Sequence, residues 1–365
     1  MIKNIYKKAG KFLLIFIGII TSLIIVFFIT FLILSPGKVS STWLKENGIA
    51  EKIFMNIGGL QQGMIIESKN IENPVLLILH GGPGSTEYAA FKHYNVGLEN
   101  LFTVCYWEQR GAGISYNPDI DENTMNLSQF ISDTVDVTNY LRERFNKNKI
   151  YLLGHSWGTL LGSYVINQNP DLFNAYIGVG QMVNTVESEK EIWEFMYSNA
   201  IERGDKKAII ELGNNNPNNN NFIHDAQYMG LRMKYVLKYG GGITHNANSI
   251  MPFIWQIVKC KAYSIREKVN FIQGQIFSTM LLFREEATNN PNLLIDLAIQ
   301  NIPVYIIAGK YDYQTTANQA KKYFDTLEAP TKMFFLFENS AHSPMFEEKE
   351  LFLNIIQNDI LFELN

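Results

Sequence analysis

The chain has 365 residues, 47% of them hydrophobic and 18% charged, with a formal net charge of −4. A substantial core is therefore feasible, as one large α/β domain with an insertion or as two domains. The acidic balance argues against nucleic-acid binding, and the two distant cysteines, Cys105 and Cys260, show neither a C-x-x-C nor a metal-ligand spacing.

The first predicted element is an apolar run. Phe12–Leu34 holds 23 residues without a charge, and Lys3, Lys7, Lys8 and Lys11 precede it, with no acid before Glu46. A helix of that length crosses a ~30 Å hydrocarbon core with some tilt. The lysines predict residues 1–11 in the cytoplasm and everything after residue 35 outside, a single-pass cell-membrane protein. A cleaved signal peptide is the competing reading, but its apolar core is ordinarily ~7–15 residues. Of the 31 basic residues four lie before residue 12, which leaves 27 against 35 acids outside.

Residues 35–47 read as a tether. Glu51–Ile57 and Gly63–Ile66 predict an antiparallel pair turning at Gly58-Gly59. Short apolar strands follow at Val75–Leu79, Phe102–Trp107, Ile150–Leu153, Tyr176–Val179, Val304–Ala308 and Met333–Phe337. Helical stretches such as Leu127–Phe145 and Thr159–Gln168 separate several of them. This alternation implies the α/β class, a mostly parallel sheet with helices on both faces. It breaks off between the strands at 176–179 and 304–308, where helix-like segments rich in aromatics predict a cap. The expected layout is core over 48–181, helical cap over 182–296 and core again over 297–365. Gly213–Asn221 reads as an exposed polar loop within the cap.

Gly154-His155-Ser156-Trp157-Gly158 joins a predicted strand to a predicted helix. Strand, sharp turn and helix form the context in which G-x-S-x-G presents a nucleophilic serine. A serine hydroxyl needs a base within reach, and the base needs an orienting acid. Asp312 stands just past the strand at 304–308, and His342 stands on the loop after the strand at 333–337. The order Ser, acid, His is that of sheet hydrolases. Glu338 and Asp325 are alternative acids; the first shares a short loop with His342 and the second lies in a predicted helix. An oxyanion hole needs two backbone N–H groups. Trp157 supplies one, and Gly82, in the loop His80-Gly81-Gly82-Pro83-Gly84, supplies the other. No zinc pattern or phosphate-binding glycine loop is present, so neither metal nor cofactor is expected.

With these motifs and Trp107-Glu108-Gln109-Arg110-Gly111-Ala112-Gly113-Ile114-Ser115, the chain resembles the α/β-hydrolase superfamily, and within it the proline iminopeptidase branch of serine aminopeptidases. The resemblance covers roughly residues 50–180 and 300–350. It departs at Glu108, where that branch usually has Asp, and at His155, where it often has Gly. The resemblance implies release of an N-terminal residue, often proline, from short peptides through an acyl-enzyme. It also implies cap carboxylates that bind the substrate α-amine, for which Glu187, Glu191 and Glu194 share one helix face and Glu285 and Glu286 stand nearby in sequence. A solvated acidic first turn near a helix N-terminus is the simpler reading of these acids. A carboxylesterase or lipase with the same triad is the alternative enzyme, and a catalytically silent binding module the alternative outside enzymes.

Overall fold

The computed structural model describes residues 15–23, 26, 29–30, 35–41, 47–217, 226–284 and 291–362. Eight strands form one sheet: β1 (Ile49–Ile57), β2 (Leu60–Ser68), β3 (Val75–Leu79), β4 (Thr103–Trp107), β5 (Ile150–His155), β6 (Phe173–Val179), β7 (Val304–Gly309) and β8 (Lys332–Phe337). Their spatial order is β1-β2-β4-β3-β5-β6-β7-β8. β1–β2 and β2–β4 are antiparallel, and all remaining pairs are parallel. The central strands are apolar in continuous runs because both faces are covered. Leu77, Leu79, Cys105 and Trp107 enter one core; Leu76, Ile78, Val104 and Tyr106, one residue out of phase, enter the other.

Helices α1 (Tyr88–Tyr94), α2 (Leu127–Arg144) and α3 (Trp157–Gln168) connect the first strands. α2 begins where the Asn126 side chain accepts a hydrogen bond from the Gln129 N–H, satisfying one of the helix's free donors. The β1–β2 turn is fixed from below. Arg110 donates to Asp133 of α2 through Nε (2.8 Å) and Nη2 (3.1 Å), and to the Gly58 carbonyl (2.8 Å). Both side chains are almost wholly buried. Arg110→Ala strands the Asp133 carboxylate, and a loss of about 3–5 kcal/mol is expected in denaturant unfolding. A loss under 1 kcal/mol would contradict this reading of the pair.

Between β6 and β7 the described residues hold helices and no strand: α4 (Thr185–Glu202), α5 (Lys206–Gly213), α6 (Ala226–Lys238), α7 (Met251–Lys259) and α8 (Ile265–Leu282), with a single further turn at Leu293–Asp296. These helices divide into two groups. Ile192, Met196, Leu212, Tyr235 and Tyr239 of α4–α6 and its flank form a core of their own, with Trp193, Phe195 and Tyr197 packed on it. Ile257 and Tyr263 instead join one face of the main sheet, and Leu281 and Leu282 join the other. The aromatics of this region thus serve two cores, which periodicity within one helix does not reveal. After β7 comes α9 (Ala317–Thr326).

The apolar run at the N-terminus is helical at residues 15–23, 26, 29 and 30. Among the described residues no helix is long and apolar enough to cross a membrane. The rest of the span expected over 12–34 lies outside the described residues, as do Glu285, Glu286 and residues 218–221 of the polar loop. The start of the expected tether is not free. Ser35 Oγ accepts from Lys268 Nζ at 2.8 Å, Pro36 bridges Ser264, and Lys38 N–H donates to the Lys261 carbonyl at 3.2 Å.

Candidate active site

β5 runs two residues further than its apolar stretch, through Gly154 and His155, and α3 begins at once with Trp157. The whole reversal therefore falls on Ser156, which takes φ 54° and ψ −121°. Positive φ in a non-glycine residue is costly and persists only where surrounding structure enforces it. The neighbours show how. A Cβ on Gly154 would lie 2.4 Å from the Gly158 carbonyl oxygen, and one on Gly158 would lie 1.9 Å from the Leu79 carbonyl oxygen. Only glycines allow strand, helix and β3 to approach this closely, and the Ser156 N–H is tied to the Val179 carbonyl at 3.0 Å.

Asp312 and His342 meet at the carboxyl edge of the sheet. His342 Nδ1 lies 2.8 Å from Asp312 Oδ2. The other carboxylate oxygen accepts from the Gln314 and Thr315 N–H groups at 2.8 and 2.9 Å, and Thr315 Oγ1 donates to Oδ2 at 3.0 Å. Asp312 is 1% exposed and His342 6%. With a carboxylate at Nδ1 the favoured neutral tautomer carries its proton there, leaving Nε2 as a base. Among the described residues Ser156 Oγ makes no hydrogen bond to His342; such contacts often tighten only with substrate bound. The two residues flank the end of β6, since the His342 ring packs against Gly180. Glu338 pairs with Lys310 and Asp325 with Lys321, both in exposed positions away from His342.

The glycine loop after β3 is locked to the elbow by buried polar contacts. His80 Nδ1 donates to the Gly81 carbonyl (2.9 Å), and its Nε2 accepts from the Gln109 N–H (3.1 Å). Burial pushes the His80 imidazole below its ordinary value, which suits this neutral arrangement. The Gln109 side chain donates to the His80 carbonyl (3.1 Å) and accepts from Trp157 Nε1 (3.0 Å). Gly81 stands against Ser156, with Ser156 Cβ 3.0 Å from where its own Cβ would be. Trp157 is the first residue of α3, so its N–H has no partner within the helix. Neither it nor the Gly82 N–H donates to another backbone group among the described residues. The arrangement can receive a negative oxygen near a serine hydroxyl.

A family model for the alpha/beta hydrolase fold matches residues 74–349. The chain belongs to that family. The hydrolase is 36% identical over 326 residues to a probable aminopeptidase of Bacillus subtilis (strain 168), covering 88% of this chain and 97% of the relative. It is 25% identical over 287 residues to a proline iminopeptidase of Heyndrickxia coagulans, covering 77% and 88%. A crystal structure of a proline iminopeptidase-related protein from Thermus thermophilus shares the fold, with TM-score 0.57, 18% identity and coverage of 84% and 97%. The chain is thus a hydrolase similar to enzymes of proline iminopeptidase type.

The two departures from that branch occupy defined places in this hydrolase. His155 Nδ1 bonds Glu87 Oε1, and its Nε2 lies 2.9 Å from the His342 carbonyl oxygen. Burial opposes charge on this imidazole, but the Glu87 carboxylate, the His342 carbonyl and the Asp312 charge together displace it upward. Both ring nitrogens face acceptors, so the imidazolium satisfies both. Glu87 Oε1 also accepts from the Gly81 N–H at 3.1 Å. One carboxylate thereby holds the glycine loop after β3 and, through His155, the loop of His342. Sequence reasoning passed over Glu87; its signal was an acid just after the glycine loop paired with a histidine where the branch has glycine.

Glu108 is 1% exposed, its Oε2 accepting from the Ile114 N–H at 2.6 Å and its Oε1 from the Tyr263 hydroxyl. Burial pushes its carboxyl up to about 7, against the lowering effect of those two bonds. An acid whose folded pKa is raised contributes stability that is full below the unfolded value of about 4.3 and is lost as pH rises through about 7. Glu108→Gln keeps both partners and removes the titration. Thermal unfolding of this variant is expected to lose less stability between pH 4.5 and 8 than the parent; parallel curves would refute the assignment.

Among the described residues none of the three predicted cap acids hydrogen-bonds Ser156, Asp312 or His342. Glu187 sits in the first turn of α4, exposed and paired with Lys190 at 2.7 Å. Glu191 accepts from Thr316 Oγ1, Asn318 Nδ2 and Gln319 Nε2, each at 2.6 Å, and so fastens α4 to α9. Glu194 is exposed. Their common helix face points along the cap–core seam and into solvent, because the buried side of α4 belongs to Ile192 and Met196.

Proposed function

We propose that this hydrolase cleaves short peptides at their N-terminal residue through a Ser156 acyl-enzyme. The observation that carries the reading is the buried Asp312–His342 pair beside a serine held at positive φ. Ser156 Oγ attacks the scissile carbonyl carbon while His342 Nε2 takes its proton. The Gly82 and Trp157 N–H groups stabilise the oxyanion, each contributing about 3 kcal/mol. The intermediate collapses, the C–N bond breaks, and His342 returns the proton to the leaving amine. Water, activated by the same nitrogen, then releases the N-terminal residue as a free acid. Asp312 keeps the imidazole in its working tautomer and stabilises it when charged.

Amide rather than ester substrates are favoured by the relatives, which are named as aminopeptidase and proline iminopeptidases. Prolyl and other aminoacyl arylamides, assayed beside short acyl esters with the full chain, test this. Turnover of at least one aminoacyl arylamide with a free α-amine is expected, and its N-acetylated form should be refused. If esters alone are hydrolysed, the carboxylesterase reading replaces this one. The 23 uncharged residues after four lysines support a further part of the proposal, a single-pass anchor with the catalytic residues outside the cytoplasm.

A further inference from the structure

We propose that the outer face of α7 and α8 lies on the anionic lipid surface of the membrane that the N-terminal run enters. The inference rests on the anchor reading and begins where that run ends. Ser35, one residue past Leu34, is buried against Lys268 of α8. Pro36 bridges Ser264, the N-cap of α8, and a Cβ on Gly37 would lie 3.1 Å from Ser264 Cβ. The chain therefore leaves the apolar run already fastened to α8, with no length of free tether between them.

α8 has three distinct sides. One packs on the core: a Cβ on Gly274 would lie 2.6 Å from the Gly111 carbonyl oxygen, and Ser278 Oγ donates to that same oxygen at 3.0 Å. A second, at Ser264 and Lys268, holds the strap. The third carries Val269, Ile272, Ile276 and Met280, which are 48–59% exposed. At 3.6 residues per turn this stripe lies roughly opposite the core side and about 100° from the strap. α7 carries exposed apolar side chains of its own, Met251 and Trp255, 60% and 53% exposed. Lys259 Nζ stands 5.4 Å from the Trp255 ring centroid, a pairing suited to a lipid–water boundary.

Charge selects the partner. Residues 250–284 carry Lys259, Lys261, Arg266, Lys268 and Arg284 against one acid, Glu267, within a chain of net charge −4. Lys268 is engaged in the strap and Arg284 pairs with Glu122, which leaves Lys259, Lys261 and Arg266 as exposed bases beside the apolar stripe, a combination suited to an interfacial helix on anionic lipid. α8 also donates from Thr279 Oγ1 to the Pro83 carbonyl at 3.1 Å, so the lipid-facing helix rests directly on the oxyanion loop.

The test places an environment-sensitive fluorophore on Ile276→Cys in the full chain. Cys260 is replaced by Ser, and Cys105 is fully buried. The protein is reconstituted in phosphatidylcholine vesicles containing phosphatidylglycerol, with and without spin-labelled phospholipid. A probe on Leu336→Cys, exposed on β8, serves as control. The probe at 276 is expected to emit at shorter wavelength and to lose most of its emission to the spin label, while the probe at 336 does neither. If the protein resists alkaline extraction yet the probe at 276 emits as in water, the face is free and the proposal fails with the anchor intact. A blue shift without lipid quenching means that a protein covers the face, and it also overturns the proposal. If alkaline extraction releases the protein, the anchor reading fails and this inference falls with it.

Discussion

Ser156→Ala is expected to lower kcat by about 10⁴- to 10⁶-fold while the fold survives. The change removes one hydroxyl from a half-exposed position, and among the described residues Ser156 Oγ supports no other group. Alanine meets the same positive φ as serine, so the backbone penalty is nearly common to both. Thermal unfolding should therefore move little, and turnover of the best aminoacyl arylamide should vanish to background. Covalent labelling by a serine-directed phosphonate should vanish with it. Labelling that persists in the variant would mean that another residue is the reactive group.

Asp312→Asn is expected to cost on the order of 10⁴-fold in kcat with KM little changed. The amide oxygen can still accept from the Gln314 and Thr315 N–H groups, so the loop after β7 keeps its shape. The amide nitrogen then stands where Oδ2 faced His342 Nδ1 and can only donate. The ring answers by moving its proton to Nε2, the nitrogen that must accept from Ser156. A variant within tenfold of the parent would remove Asp312 from the triad. Glu338, the other acid near in sequence, is held by Lys310 in solvent and offers no substitute geometry.

Much of the sheet was legible because its signals are local. Four to seven mostly apolar residues between glycines and polar turns mark a strand; seven of the eight expected strands fall inside those observed, and the eighth, Phe102–Trp107, begins one residue before β4. The ends were less legible. Glycine reads as a stop, so β5 was expected to end at Leu153, but the chain keeps pairing with β6 through Gly154 and His155. The helix likewise starts at Trp157 rather than Thr159, since one strained residue makes the entire turn. Helical spacing put Glu187, Glu191 and Glu194 on one face, but spacing does not say what that face meets. Glu191 meets Thr316 and Gln319, 125 and 128 residues away.

By itself the sequence determined the α/β class, the order of serine, acid and histidine, and the glycine loops around them. Each depends on backbone conformations that a few consecutive residues impose. Only the tertiary structure decided that Glu87 grips both His155 and Gly81, that Glu108 is sealed beneath Tyr263, and that Ser35 is clamped by Lys268. Those contacts join residues 68, 155 and 233 positions apart. Burial and hydrogen bonding at such separations depend on how the finished sheet, its loops and α8 pack together, and no local pattern encodes them.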